Sequence, residues 1–173
     1  MSRGDPVKRS LNVLPDAVAQ NPQIIALAEQ LPGAVLDASI AVDGLVLGVA
    51  PKHVESVCRY LKQNQGFVRL SAVTGVDWWP REPRFEVLYF LHSLAHNARL
   101  RLSVRVAEGE PLESICHLWR GANWYEREVF DLFGIEFRNH PNLERILMPA
   151  DWEGHPLRKD YPIHGHKYSY QEE

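Results

Sequence analysis

The chain has 173 residues, 45% of them apolar and 24% charged, with a net charge of −3 and both signs mixed along its length. That size and composition fit one globular domain with its own core and a tail. They exclude the basic footprint of a nucleic-acid binder.

Residues 1–20 read as a loosely ordered N-terminal segment. Their basic residues are followed by no apolar core, so no secretory signal is expected and a cytoplasmic location is the default. Asn21-Pro22 reads as an N-cap with proline at the first helical position. Ile24, Ile25, Leu27, Ala28 and Leu31 supply the apolar side of that short helix, and Pro32-Gly33 stops it.

Residues 34–40 and 45–50 read as two strands joined by a turn at Asp43-Gly44. The stretch from Ala34 to Ala50 is the longest apolar-looking run. Asp37, Asp43 and glycines interrupt it, so it falls short of the roughly 20 residues of a membrane span. Pro51 opens a helix to about Gln65, with Val54, Val57, Cys58 and Leu61 at helical spacing, and Gly66 closes it.

Strands follow at 67–76, 85–93 and 100–106. In the last, Leu100, Leu102, Val104 and Val106 alternate with Arg101, Ser103 and Arg105, the period of a half-buried antiparallel strand. Residues 96–98 read as a hairpin connection. Trp78 and Trp79, before Pro80, are expected to cover the sheet edge. The fold class is α+β: a mixed or antiparallel sheet with helices packed on one face, then an extended proline-rich C-terminal arm.

The segment after Pro111 reads as one long helix with Ile115, Leu118, Trp119, Ala122, Val129 and Phe133 on one face. Glu126 falls inside that apolar arc, where an acid is costly unless paired. Three readings stay open: pairing with an internal Arg or Lys, a catalytic acid of raised pKa, or a contact with a neighbouring protein. Arg127 and Asp131, four apart on the opposite side, read as a solvated pair or an interface rim. Cys58 and Cys116, each placed in a helix among apolar neighbours, read as buried small hydrophobes. Iron–sulfur clusters are usually held by four thiolates, and two distant cysteines do not supply such a site alone.

From Phe137 on, Pro141, Pro149, Pro156 and Pro162 rule out a long helix and most of a sheet. Leu143, Ile146, Leu147, Met148, Trp152, Leu157 and Tyr161 argue against simple disorder. The arm is expected to lie on its own domain, on a partner, or on both. It holds His140, His155, His164 and His166, but no HExxH. The chain also lacks G-x-G-x-x-G after a strand, a P-loop and G-x-S-x-G, so no catalytic, cofactor-binding or metal residues are expected.

Residues 126–137, EREVFDLFGIEF, resemble the signature of the C-type subunit of complex I. Residues 140–149, HPNLERILMP, and 151–162, DWEGHPLRKDYP, match its continuation, in order and without a gap. Thr74-Gly75-Val76-Asp77 and FEVLYFLHS look like the family's middle strands. The resemblance covers most of residues 22–162.

The resemblance implies three segments: 1–20, an α+β domain of this family at 21–136, and a docking arm at 137–173. It implies a structural subunit of the peripheral arm of a proton-translocating NADH–quinone oxidoreductase, on the cytoplasmic side of the bacterial inner membrane. The D-type subunit would be the first partner, near the quinone-reducing module, then the B-type and I-type subunits. Membrane association would come only through the complex, and no nucleic acid is involved. FMN, the iron–sulfur clusters and quinone would belong to other subunits, and none to this chain, which would not be catalytic by itself. The ending soon after Pro162 suggests the stand-alone form and not a fused one.

The matching positions are read as docking and folding residues: Glu126, Arg127, Glu128, Asp131, Gly134, His140, Pro141, Arg145, Asp151, Trp152, His155, Pro156, Arg158, Lys159, Asp160 and Tyr161. Gly134 is expected to turn the chain into the arm, and Glu126 to hold the arm through Arg145 or Arg158. The rival readings are the equivalent subunit of a membrane-bound hydrogenase or a ferredoxin- or F420-linked complex, a His-based metal hydrolase, and a generic interaction module.

Overall fold

In the computed structural model, residues 22–42 and 44–162 are described. The expectations for residues 1–20, Asn21, Asp43 and 163–173, with His164 and His166, fall outside them.

The expected element order holds. Helix α1 (Pro22–Gln30) precedes the hairpin β1 (Val35–Ala41) and β2 (Gly44–Val49). A 3-10 turn at Pro51–His53 leads into α2 (Val54–Asn64), followed by β3 (Arg69–Asp77), β4 (Phe85–Ser93) and β5 (Ala98–Val106). The five strands form one sheet in the order β1-β2-β5-β4-β3. All its pairings are antiparallel except β2 with β5, where Leu45 to Gly48 run parallel to Leu100 to Ser103. The sheet is therefore mixed, and β5 is antiparallel only on its β4 side.

Alternation decides which face is covered. On β4, Phe85, Val87, Tyr89 and Leu91 are sealed from water, while Glu86, Leu88, Phe90 and His92 between them stay half-buried. The sealed face meets Leu27 of α1 and Val57, Cys58 and Leu61 of α2 in one core. Burying side chains of this size contributes about 1.5–3 kcal/mol each. The opposite face carries no helix among the described residues.

The third helix departs from expectation. Helix α3 spans only Ala122–Phe133; residues 112–121 are not its first turns. Leu112 and Glu113 instead form a short strand, β6, parallel to β7 (Phe137–Arg138). The amides of Leu112 and Ser114 bond the carbonyls of Glu136 and Arg138, and the Ile115 amide bonds Glu126. Those donors are engaged elsewhere, so the segment cannot continue a helical ladder. Cys116 thus sits in a turn, half-buried, and only Cys58 lies in a helix. Trp78 also departs from expectation: its indole bonds Glu86 of β4 and lies under Arg105 of β5, so it covers the end of the open face and not the edge. Trp79 stays 51% exposed.

Helix α3 packs along β3. The contact needs Gly75: a Cβ there would stand 2.7 Å from the Phe133 ring. Gly134, at φ 75 and ψ 25, ends α3 in the left-handed conformation and turns the chain into the arm, as expected.

Candidate functional site

The arm from Phe137 to Pro162 returns across α3 and the start of β4, where two of three buried acids fasten it and the third lies beside its entry.

Asp131 is the first. It is fully buried, although helical periodicity places it away from the apolar face. One carboxylate oxygen accepts the amides of Ile146, Leu147 and Met148 at 3.0, 2.8 and 2.9 Å, and the other accepts Arg145 at 2.6 Å. Burial works to raise this acid's pKa, but the three amides and the guanidinium outweigh it and hold the group below the ordinary aspartate value. The Asp131 carbonyl also accepts from Arg145 and from His155 Nδ1 at 2.9 Å. That bond places the proton of neutral His155 on Nδ1. Burial pushes the His155 pKa down, and Arg158 and Arg145 push it further.

Asp77, the last residue of β3, is the second. Its carboxylate takes Arg84 at 3.1 and 2.9 Å and the Trp79 and Lys159 amides at 2.9 and 2.8 Å. Burial alone would raise it; the Arg84 bond and the two amides lower it to about 2. Arg84, its side chain 4% exposed, also holds Asp160 at 2.5 Å and Glu108 at 3.0 Å. Arg158 meets the other oxygen of Glu108 at 2.6 Å and donates to the Phe133 carbonyl at 2.6 Å.

Glu126 is the third, and its role differs from expectation. It is fully buried, but it pairs with neither Arg145 nor Arg158. Its oxygens accept from Ser114 Oγ at 2.6 Å, the Ile115 amide at 2.8 Å and the Cys116 thiol at 3.2 Å, and His140 Nε2 lies 3.9 Å away. Desolvation raises its pKa against those bonds. Burial, and then Glu126 itself, push the Cys116 thiol up to about 12. Glu126 therefore fixes the 114–116 turn and lies beside His140 at the entry of the arm, while Arg145 belongs to Asp131.

Cys116, Glu126 and His140 bring ligand atoms within 4.8 Å of one another, the one such group of metal-competent side chains among the described residues. Their hydrogen bonds assign them another task. The Asn142 amide donates to His140 Nδ1 at 3.1 Å, so Nε2 carries the proton and faces the Asn123 carbonyl at 3.2 Å. The nitrogen aimed at Glu126 is a donor in this arrangement, and a metal ligand needs a lone pair there.

The remaining expected residues divide. Arg127 does not pair with Asp131; it donates to the Glu144 and Arg145 carbonyls and lies 5.1 Å over the Trp124 ring. Arg145 bonds the Gly154 carbonyl as well, Tyr161 bonds that of Glu153, and Lys159 joins the site through its amide. Pro156 is half-buried, and Glu128, Pro141 and Asp151 are exposed. The Trp152 indole nitrogen is sealed from water without a hydrogen-bond partner. Leu147 and Leu157 point outward, 54% and 52% exposed, as does Trp124 at 61%.

Sequence reasoning missed Arg84, Asp77 and Glu108 as anchors. One signal for Asp77 existed: it continues the inward register of Val73 and Gly75. Arg84 precedes the inward Phe85, and alternation alone would turn it to solvent.

The described residues thus form a mixed sheet backed by helices on one face, with the chain's own strap bonded across helix α3. A solved chain of a membrane-bound sulfane sulfur reductase, an archaeal respiratory membrane complex, shares this fold with a TM-score of 0.70 at 23% identity, over 82% of this chain and 84% of that one. The family described as respiratory-chain NADH dehydrogenase, 30 Kd subunit, matches residues 47–167. The protein from Geotalea uraniireducens named as the C subunit of NADH-quinone oxidoreductase is 40% identical over 87% of this chain and 92% of its own length. Its namesake from Roseiflexus castenholzii is 48% identical over 83% and 84%. The chain belongs to the 30 Kd subunit family of respiratory-chain NADH dehydrogenase, the complex I type of oxidoreductase.

Proposed function

We propose that this chain is a cofactor-free structural subunit of the peripheral arm of a proton-translocating NADH–quinone oxidoreductase. It docks against the D-type subunit beside the quinone-reducing module, with the B-type and I-type subunits as further neighbours, on the cytoplasmic side of the bacterial inner membrane. Residues 21–136 act as the domain and 137–173 as the docking arm. The names of the relatives support the assembly. No helix among the described residues is long and apolar enough to cross a membrane, which fits attachment through partners. Iron–sulfur clusters are assigned to other subunits, because two cysteines fall short of the four thiolates a cluster usually takes, and FMN and quinone are assigned to other subunits with them.

One observation carries the docking reading. The strap is fastened inward through its backbone amides, Arg145 and Asp160, onto Asp131, Asp77 and Arg84, and leaves Leu147 and Leu157 facing out. A strap fastened this way is ordered before it meets a partner, so docking loses less conformational entropy. Apolar side chains held outward on a rigid backbone suit the centre of a protein interface.

The test is co-purification of the D-type subunit with the tagged chain from cells making the whole complex. Leu147→Asp with Leu157→Asp should lower its recovery by about tenfold, the effect of ~1.4 kcal/mol, with an unchanged melting temperature of the isolated chain. Full recovery by the double variant would remove the strap from the interface.

A further inference from the structure

The open face of the sheet carries a second feature, at the end of β3 away from the strap's Asp77 anchor. Arg69 of β3 is the cross-strand partner of His92 of β4, and His92 of Arg99 of β5. Directly paired residues share a face, so these three line up in one row across the sheet. Arg69 and Arg99 are exposed, while His92 is half-buried. The two arginines flank His92 from the neighbouring strands, and no salt bridge with Arg69, His92 or Arg99 occurs among the described residues.

The row borders a cavity of about 340 Å³ lined also by Ser71, Phe90 and Arg101. None of the described lining residues is acidic. Arg101 is engaged by an interaction of its own and lies 5.0 Å over the Phe90 ring. The His92 Nε2 is sealed from water and has no hydrogen-bond partner. Beyond the row the same face continues with half-buried Val46, Phe90 and Leu88, Arg101 standing between the first two. Arg69 and Asp77 stand at opposite ends of β3, roughly 26 Å apart at strand rise, so this surface is distinct from the strap's anchor at Asp77.

We infer that this end of the open face is a second docking surface, which takes an acidic segment of a neighbouring polypeptide in the assembly. A guanidinium binds a carboxylate through two parallel bonds, and acidic side chains laid over this row would neutralise Arg69 and Arg99. A free anion would satisfy the row but leave Val46, Phe90 and Leu88 wet, whereas a polypeptide covers both. The surface goes beyond the strap interface and does not depend on which partner the strap meets.

The test uses the intact complex. A photo-cross-linking amino acid replaces Ser71, the complex is irradiated in native membranes, and the attached peptide is sequenced. The expected product is a segment of another polypeptide of the complex containing Asp or Glu. Arg69→Glu with Arg99→Glu should reduce its yield by about tenfold or more, and Lys at the identified carboxylates should restore it. Unchanged melting of the isolated chain shows that the charge reversal leaves the fold intact. The inference is overturned by a cross-link to lipid alone, to this chain's own residues 163–173, to a segment without acids, or to no other chain. A yield insensitive to the charge reversal overturns it too.

Discussion

Asp131 on helix α3 and Arg145 on the strap meet at 2.6 Å, with the acid fully sealed from water. The same carboxylate gathers three successive strap amides, so one buried charge closes the join between domain and strap. Removing one partner of such a cluster leaves the others buried without compensation, which costs far more than losing a surface pair.

Asp131→Asn keeps the size of the side chain but removes its charge and turns one acceptor into a donor facing amides. The expected loss is about 3–5 kcal/mol, read as a lower urea midpoint, or else a strap released locally and cut early by protease. Glu128→Gln, on the same helix but exposed, should stay within about 0.5 kcal/mol of the parent.

His155 and Asp77 set the acid side of the stability profile. The His155 pKa is depressed by burial, so its neutral form is favoured in the fold. Its stabilising contribution is complete above the ordinary value of 6.5 and is lost as pH falls through the lower folded value. Asp77, lowered to about 2, contributes fully above its ordinary 3.8 and loses that contribution between there and about 2. Glu126 has the opposite sign: its raised pKa makes stability fall as pH rises from 4.5. Urea melts at stepped pH should show a loss below 6.5 that His155→Gln removes, and a falling component above 4.5 that Glu126→Gln removes.

Gly134→Ala meets two obstacles. The residue holds φ 75, and its new Cβ would stand 2.5 Å from both Arg158 Nη2 and His155 Nε2. The left-handed backbone alone costs roughly 1–2 kcal/mol, and the contacts push the strap off Phe133. The variant should lose more stability than Gly109→Ala, where φ is 78 but the added carbon meets nothing. Equal losses in the two would show that the strap does not press on this corner.

Cys116 should be slow to alkylate at about pH 8, since its thiol is pushed up to about 12. Cys58, fully buried, should be slower still. Glu126→Gln removes the neighbouring negative charge and should speed Cys116 in a timed iodoacetamide reaction followed by mass spectrometry. No acceleration would mean that Glu126 does not set the thiol's environment.

The sheet, both early helices and the left-handed stop at Gly134 were legible because each follows from local periodicity or a local breaker. The burial of Glu126 was legible too, from its place in an apolar arc. Its partner was not, because residues 112–121 carry a helical apolar spacing while their backbone donors go to Glu126, Glu136 and Arg138. Asp131 was misread for a related reason. It lies about 140° around the helix from Glu126, on a side that periodicity assigns to water, and the strap covers that side. A pattern of period ~3.6 reports one buried face; it does not report a second one made by a non-helical segment. Arg84 is an anchor for Asp77 and Asp160. The second of these is far away in sequence order, and no short spacing reveals the cluster.

The central claim is that the strap is fastened to its own domain before any partner arrives. Amide hydrogen exchange of Ile146, Leu147 and Met148 in the isolated chain tests it most directly, because all three donate to one oxygen of Asp131. Strong protection in the lone protein, abolished by Asp131→Asn, is the predicted result. Exchange at unprotected rates in the lone protein, with protection arising only inside the complex, would contradict it.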